Sequence, residues 1–244
     1  MSVGLARNGI VRRAMEVSGA AILLILLLPL LVLIAVAVFL DVGWPILLRQ
    51  DRLGLRGRVF TIFKFRTMTD RVTEKGDLLP DAMRLTRIGA MVRRLSLDEL
   101  PQLLNVLIGD MSLIGPRPLL AHYQSRYTPE QNRRHEMLPG ITGWAQICGR
   151  NGISWTRRFE LDLWYIDNWD LWLDLKIACL TVPVVLGMKN ISADGHVTIS
   201  EFSGSEEFAA EENETVSLPK LPSQILAKDS ALEIPKPQQL ASPK

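Results

Sequence analysis

Val17-Ser18-Gly19-Ala20-Ala21-Ile22-Leu23-Leu24-Ile25-Leu26-Leu27-Leu28-Pro29-Leu30-Leu31-Val32-Leu33-Ile34-Ala35-Val36-Ala37-Val38-Phe39-Leu40 is a run of 24 residues without a charge. As a straight helix it would measure about 36 Å, enough to cross a hydrocarbon core of roughly 30 Å. Arg12-Arg13 before it and Ala35-Val36-Ala37 near its end loosely fit a cleaved signal peptide, but the run is long for such an apolar region. Arg7, Arg12 and Arg13 precede the run, and Arg49, Arg52, Arg56 and Arg58 follow it. Basic residues mark the cytoplasmic side of a bilayer, so this symmetry places both flanks there. Pro29 sits mid-run, where it removes a backbone donor and clashes with the preceding turn. Val17 to Leu28 would then reach about 18 Å, one leaflet deep. Two readings stay open on these residues: a kinked spanning helix, and a helix that bends at Pro29 and returns to the face it entered from.

Outside this run the chain is ordinary globular material with an appendage. Its 244 residues suit one domain plus extensions, and 48% hydrophobic against 22% charged residues excludes disorder throughout. Cys148 and Cys179 cannot build a disulfide framework or a four-cysteine zinc site. The net charge of +2 conceals an asymmetry: residues 201–244 hold eight acids and four bases, leaving 24 bases against 18 acids before them. Five of the 14 prolines also fall in that last stretch, which has no Trp or Tyr, so a disordered acidic tail is predicted over 204–244. The organisation expected is a membrane anchor over 1–44, a catalytic domain over 45–203 and the tail.

Between anchor and tail the pattern is α/β but mostly helical. Pro45 to Leu48, a turn over Gly54–Gly57 and Val59 to Phe65 predict a small β-hairpin. Thr69–Pro80 is polar and loop-like, and a short helix is expected around Asp81–Leu95. Leu100, Leu103, Leu104 and Leu107 repeat at i, i+3, i+4 and i+7, an amphipathic helix that Gly109 would stop. Further helices are predicted over Pro129–Met137 and Phe159–Val185, separated by a turn-rich segment from Pro139 to Gly152. Trp164, Tyr165, Trp169 and Trp172 crowd the last helix. That suits amphipathic helices lying at a membrane interface, and equally a helix packed on the core.

No Walker loop, dinucleotide fingerprint or metalloprotease helix is present, and His122, His135 and His196 lack metal-ligand spacing. Chemistry concentrates instead in Arg93-Arg94-Leu95-Ser96-Leu97-Asp98-Glu99-Leu100-Pro101-Gln102. Ser96 and Glu99 match a capping box, while Pro101 would sit more comfortably in a first turn opened by Asp98; either way the acids occupy a helix N-terminus. There they would complement the helix dipole, or an ionised Asp98 would sit where an anionic substrate also binds. Adjacent helical residues point about 100° apart, so separate roles suit the pair better than a shared proton. One carboxylate can attack phosphorus while the other holds a metal or orients substrate. Repulsion between carboxylate and diphosphate would be offset by Mg²⁺ and by Lys64, Arg66, Arg93, Arg117 and Arg150. Arg117, fixed between Pro116 and Pro118, has little backbone freedom and suits phosphate binding as well as it suits a surface turn.

Lys64-Phe65-Arg66-Thr67-Met68, Leu95-Ser96-Leu97-Asp98-Glu99-Leu100-Pro101-Gln102, Gly109-Asp110-Met111-Ser112, Gly115-Pro116-Arg117-Pro118 and Pro139-Gly140-Ile141-Thr142-Gly143-Trp144 follow one another in that order. This order resembles the bacterial sugar transferases of the monotopic polyprenyl-phosphate phosphoglycosyl transferase family, over about residues 10–203. The resemblance implies a re-entrant membrane helix broken at Pro29, both termini on the cytoplasmic face of a bacterial inner membrane, and a catalytic Asp98-Glu99 pair. It implies that a phosphosugar moves from a UDP-sugar to polyprenyl (undecaprenyl) phosphate through a covalent phosphosugar-Asp98 intermediate, with release of UMP and with Glu99 assisting through Mg²⁺ or lipid-phosphate positioning. Such a step opens glycoconjugate assembly and feeds downstream glycosyltransferases; no nucleic-acid partner is expected. Gly195-His196-Val197-Thr198 with Glu201-Phe202 resembles the minimal members that handle N-acetylated, bacillosamine-type amino sugars. One departure is Leu28, where family members often carry a Ser able to satisfy a freed carbonyl. A noncatalytic membrane scaffold and a lipid-phosphate phosphatase are the rival readings, and only the transferase releases UMP.

Overall fold

The computed structural model describes residues 9–149, 152–186 and 201–204. Arg7, Arg150, the segment containing His196 and the tail from residue 205 lie outside the described residues. The architecture is mostly helical, with a long apolar N-terminal helix and two small sheets.

Helix α1 runs from Ile10 to Val42 as one segment, with Pro29 inside it. Pro29 therefore does not break the helical backbone: one lost hydrogen bond is outweighed because both halves pack on the same body. Ala20, Leu24 and Leu27 meet Ile62, Leu103, Val106 and Met111, while Ile34 and Val38 meet Phe65 and Val92. The opposite face is apolar and exposed, including Ile25, Leu26, Leu33 and Leu40.

A buried polar knot fixes the beginning of α1. The Arg12 guanidinium lies 3.0 Å from Glu16 and 3.3 Å from Asp174, and donates to the Ile114 carbonyl at 2.8 Å and to Tyr165 Oη at 3.3 Å. Tyr165 donates to Asp174 at 2.6 Å and the Trp169 indole does so at 3.0 Å. An arginine this deeply buried persists only where such partners surround it.

Strands β1 (Leu47–Leu53) and β2 (Val59–Phe65) form the antiparallel hairpin, with Leu48 opposite Lys64 and Leu53 opposite Val59. The helix expected over Asp81–Leu95 is two, α2 (Asp81–Arg84) and α3 (Arg87–Arg94). They part at Thr86, whose Oγ1 accepts from Gly89 N at 2.8 Å and caps α3. A turn of 3₁₀-helix at Leu97–Glu99 then leads into α4 (Gln102–Ile108), which Gly109 ends at φ 111°.

Of the four periodic leucines, Leu100, Leu103 and Leu107 pack on apolar clusters and Leu104 does not. Leu103 is buried, but Leu104 is 41% exposed and Ile108 67%, while the polar Gln102 and Asn105 are inside. Asn105 is the reason. Its side-chain amide donates to the Thr61 carbonyl at 2.8 Å and its Oδ1 accepts from Phe63 N at 3.2 Å. It thus satisfies the outer edge of β2 as another strand would and docks α4 there.

Strand β3 (Ser112–Ile114) pairs in parallel with β4 (Gly140–Thr142), a second sheet inside what the sequence presents as turns. Between them, α5 (Pro129–Asn132) continues as a 3₁₀ turn over Arg133–Glu136. After β4 come α6 (Trp144–Gly149), α7 (Trp155–Asp167) and α8 (Leu171–Leu186), so the single helix expected over Phe159–Val185 is interrupted at Asn168–Asp170. The aromatic crowd divides accordingly. Tyr165 is buried in the Arg12 knot, Trp164 stacks on Trp144 at 5.1 Å between ring centroids, Trp169 binds Asp174, and Trp172 stands 72% exposed.

Because Asn105 satisfies two backbone groups of β2, Asn105→Ala should lower stability by about 2 kcal/mol, the cost of leaving buried polar groups unpaired. A fall of roughly 4–8 °C in the melting midpoint is expected, followed by circular dichroism in detergent. An unchanged midpoint would mean that α4 docks by its leucines alone.

Candidate active site

The acids stand on a turn that the surrounding core shapes. Ser96 adopts left-handed backbone at φ 55° and makes no side-chain cap bond, so the expected capping box with Glu99 does not form. Leu97 and Leu100 point into the cluster of Phe65 and Val92. The intervening Asp98 and Glu99 are buried on the other side, towards the end of β2. Pro101 precedes α4, so the pair lies on the 3₁₀ turn ahead of this helix rather than within its first turn.

Glu99 is held by two cations from distant parts of the chain. Lys64 Nζ, near the end of β2, donates to Glu99 Oε1 at 2.7 Å. Arg117 engages both oxygens, donating from Nη1 to Oε2 at 3.1 Å and from Nη2 to Oε1. Burial alone would raise the Glu99 pKa, but the charges and hydrogen bonds of Arg117 and Lys64 overturn that and hold it below the ordinary carboxylate range. Lys64 is shifted down by burial despite Glu99, whereas Glu99 raises Arg117 against its burial.

Asp98 differs from the expectation that a helix terminus would lower its pKa. Burial first, then the neighbouring Glu99 charge, raises it above the ordinary value, with Lys64, Arg93 and Arg117 opposing. Among the described residues nothing hydrogen-bonds its carboxylate. Lys64, Asp98, Glu99 and Arg117 are therefore brought together, and Arg93 acts on Asp98 through charge while its Nε donates to Thr67 Oγ1 at 2.7 Å. Arg66 is turned elsewhere, donating to the Pro45 carbonyl at 3.1 Å and to Asp70 at 2.8 Å.

Two motifs place Arg117 by close backbone approach. Gly115 N donates to the Thr142 carbonyl at 2.9 Å and Gly140 N to the Pro116 carbonyl at 3.0 Å. A Cβ on Gly115 would stand 2.4 Å from the Leu138 carbonyl oxygen, and one on Gly140 would stand 2.1 Å from Gly115 N. Only glycine permits this crossing. Arg134 then donates to the Arg117 carbonyl at 2.8 Å and pairs with the buried Asp162 at 2.7 Å.

Sequence reasoning missed Arg52, Arg134 and Arg158. Arg52 lies beside Arg117 and donates to the Pro118 carbonyl at 3.2 Å; burial, then the Arg117 charge, lowers its pKa to about 10. Arg158, almost wholly buried, is likewise lowered to about 10, by burial first and with Arg117 and Arg134 contributing. Arg52, Arg117, Arg134 and Arg158 thus outnumber Glu99 and Asp162, an excess of positive charge that suits an anionic ligand. In sequence Arg52 reads as one of the basic residues flanking the apolar run, and Arg134 falls unremarked within the helix predicted over Pro129–Met137.

A groove of about 930 Å³ separates α1 from the hairpin. Leu31, Val32, Trp44, Leu48, Phe65 and Leu104 line it, with Arg49, Arg66 and Asp70 among its polar groups. Pro101, two residues after Glu99, also reaches it. No cluster of three or more His, Cys, Asp or Glu suited to a metal occurs among the described residues. Magnesium characteristically takes one or two carboxylates together with substrate phosphates. Asp98 fits that pattern, while both Glu99 oxygens are engaged by Lys64 and Arg117.

Residues 7–188 match the family model described as bacterial sugar transferase. A Bacillus subtilis (strain 168) protein named as the uncharacterized sugar transferase EpsL is 57% identical over 187 residues, 76% of this chain and 93% of that one. A Caulobacter vibrioides protein named UDP-glucose:undecaprenyl-phosphate glucose-1-phosphate transferase is 46% identical over 191 residues, 73% of this chain and 71% of that one. The undecaprenyl-phosphate glucose phosphotransferase of Komagataeibacter xylinus is 45% identical over 202 residues, 73% of this chain but only 36% of its own length. The long N-terminal apolar helix, the ordered motifs converging on Asp98, Glu99 and Arg117, and a match over most of the chain agree: it belongs to the bacterial sugar transferase family.

Proposed function

We propose that the protein transfers a phosphosugar from a UDP-sugar to undecaprenyl phosphate or a similar polyprenyl phosphate, releasing UMP. The observation that carries this reading is the division of labour at the acid pair. Glu99 binds Lys64 and Arg117, and Asp98 stands beside them without a hydrogen bond among the described residues. The relatives' names supply the class of donor and acceptor.

In this reading an Asp98 oxygen attacks the phosphorus that bears the sugar. The bond from that phosphorus to the bridging oxygen breaks, and UMP departs with the electron pair. An oxygen of the lipid phosphate then attacks the same phosphorus, displacing the Asp98 carboxylate and forming a polyprenyl diphosphate sugar. Splitting the transfer this way keeps the phosphoryl group activated between two substrates. Lys64 and Arg117, aligned by Glu99, bind phosphate oxygens, and Arg52, Arg134 and Arg158 extend the positive field over the nucleotide diphosphate. Glu99 thus serves lipid-phosphate positioning better than metal ligation. Magnesium, held by Asp98 and the donor phosphates, would neutralise diphosphate charge.

The membrane reading rests on separate support. Both ends of α1 bind the same body, and the intervening outer face is apolar along its length. Although the helix is continuous through Pro29, fastening at both ends favours an anchor that dips its outer face into the bilayer and keeps both flanks on the cytoplasmic face over a helix that crosses it. Leu171, Trp172, Leu175 and Val182 give α8 an exposed apolar surface suited to the same interface. The groove beside α1 would shelter part of the lipid chain.

Cysteines placed at Ile10 and Arg58, in a Cys148→Ser/Cys179→Ser background, should both react only with reagent on the cytoplasmic side of sealed vesicles. Periplasmic labelling of either would sink the re-entrant arrangement.

Asp98→Asn keeps the size of the side chain but removes the anion, so UMP release from the donor should fall below detection. Glu99→Gln should still accumulate a sugar-phosphate mass increment on intact enzyme, yet turn over at least about tenfold more slowly. An increment mapped to Glu99, or UMP release that requires the lipid acceptor in the first turnover, would refute this mechanism. A screen over UDP-sugars sets the N-acetylated amino sugars expected from the chain's resemblance against the glucose of the relatives' names.

A further inference from the structure

Phe202 lies beyond residue 188, where the family match ends, yet it is 1% exposed. Its ring centroid lies 5.7 Å from that of Tyr123, 5.4 Å from Trp155 and 5.2 Å from Phe159, and it stacks on Tyr127 at 5.8 Å. The backbone around it is secured as well. Phe202 N donates to Tyr123 Oη at 3.2 Å, and Arg126 donates to the Phe202 carbonyl. Glu201 meets His122 at 2.7 Å and Arg126 at 3.3 Å.

This cluster is the floor beneath the Arg117 loop. Leu119, two residues after Arg117, is buried in the same cluster as Phe202, and its carbonyl accepts from Leu53 N at 3.0 Å. A second route runs through Phe159, whose ring lies 5.6 Å from the Arg134 guanidinium carbon; Arg134 in turn donates to the Arg117 carbonyl at 2.8 Å. Close-packed interiors transmit the loss of a ring to their neighbours, because adjoining side chains shift to fill the space. Both routes from the Phe202 ring end on the backbone of the loop carrying Arg117, whose guanidinium grips Glu99.

We infer that Phe202 is a positioning residue: it completes the aromatic floor on which the Pro116-Arg117-Pro118 loop rests and so sets the aim of Arg117 at the substrate phosphate. The inference rests on the proposed transferase reading only for its kinetic test. The segment 201–204 is thereby part of the working domain, although it follows the matched region.

The test compares full-length wild type, Phe202→Leu and Phe202→Ala in detergent, with truncation after Gly204 as a control. Backbone hydrogen exchange is followed in peptides covering residues 115–121 and 101–108. In Phe202→Ala the first should exchange about tenfold faster and the second within about twofold of wild type, with Phe202→Leu between the two. The donor KM should rise about tenfold with kcat within about threefold, since a ground-state phosphate contact is being misaligned. The truncated control should match wild type. Should Phe202→Ala fail to fold, Phe202→Leu decides by the same measurements. Unchanged exchange at 115–121, an equal rise in both peptides, or a fall in kcat at constant KM would overturn the inference. If wild type releases no UMP, the transferase reading fails, while the exchange measurement still decides whether Phe202 supports the loop.

Discussion

The carboxylate of Glu99 is where three remote segments meet: the end of β2 through Lys64, the loop after β3 through Arg117, and the turn before α4 that carries the acids. A buried charge persists only when partners compensate it, so none of these segments can move without exposing the others to an unpaired ion. The arrangement also settles how charge is shared. Glu99 takes the hydrogen bonds of both cations, and among the described residues Asp98 is compensated only at longer range. Burial and the adjacent anion then raise Asp98, while the same cations lower Glu99. Two neighbouring carboxylates thus occupy opposite electrostatic situations, which is the condition for giving them different tasks.

The geometry around that carboxylate is maintained by backbone devices more than by apolar packing. Asn105 closes the exposed edge of β2 and thereby fixes the distance between Lys64 and the acid-bearing turn. Gly115 and Gly140 let two chain segments cross at a separation no side chain would allow, which brings the Arg117 loop under control of β4. Arg134 takes up the Arg117 carbonyl and is itself neutralised by Asp162. Each of these residues spends hydrogen-bonding capacity on the main chain, and the result is rigidity where a phosphate-binding site needs it.

What the sequence discloses, and what it does not, follows from the range of the interactions involved. The hairpin and the Gly109 stop are local features with local signatures, and they read correctly. Leu104 does not, because periodicity reports which residues are apolar without saying whether protein or lipid covers them. Leu104 faces the groove beside α1 instead of the core. The capping box fails because Ser96 sits in left-handed backbone, a conformation set by the packing of Leu97 and Leu100. Arg52, Arg134 and Arg158 are invisible as a group, since their meeting depends on β1, the 3₁₀ turn after α5, and α7 converging, with β1 far from the other two in sequence.

The same reasoning joins the anchor to the site. The Arg12 knot ties the start of α1 to β3, α7 and α8, and the end of α1 packs on Phe65, the neighbour of Lys64. Had α1 been fastened at one end only, its depth in a bilayer and the position of the acids would be independent. Fastened at both, the helix and the acid-bearing turn behave as one body, and a groove beside the helix reaches Pro101, two residues beyond Glu99. A lipid-borne phosphate presented at the membrane surface would then meet Asp98 at a fixed height, with orientation supplied by the fold instead of by diffusion in three dimensions. Under the proposed function, the buried ions of the anchor would thereby help set the geometry at Asp98, and an apolar helix held along the domain would serve a membrane substrate better than one on a flexible stalk.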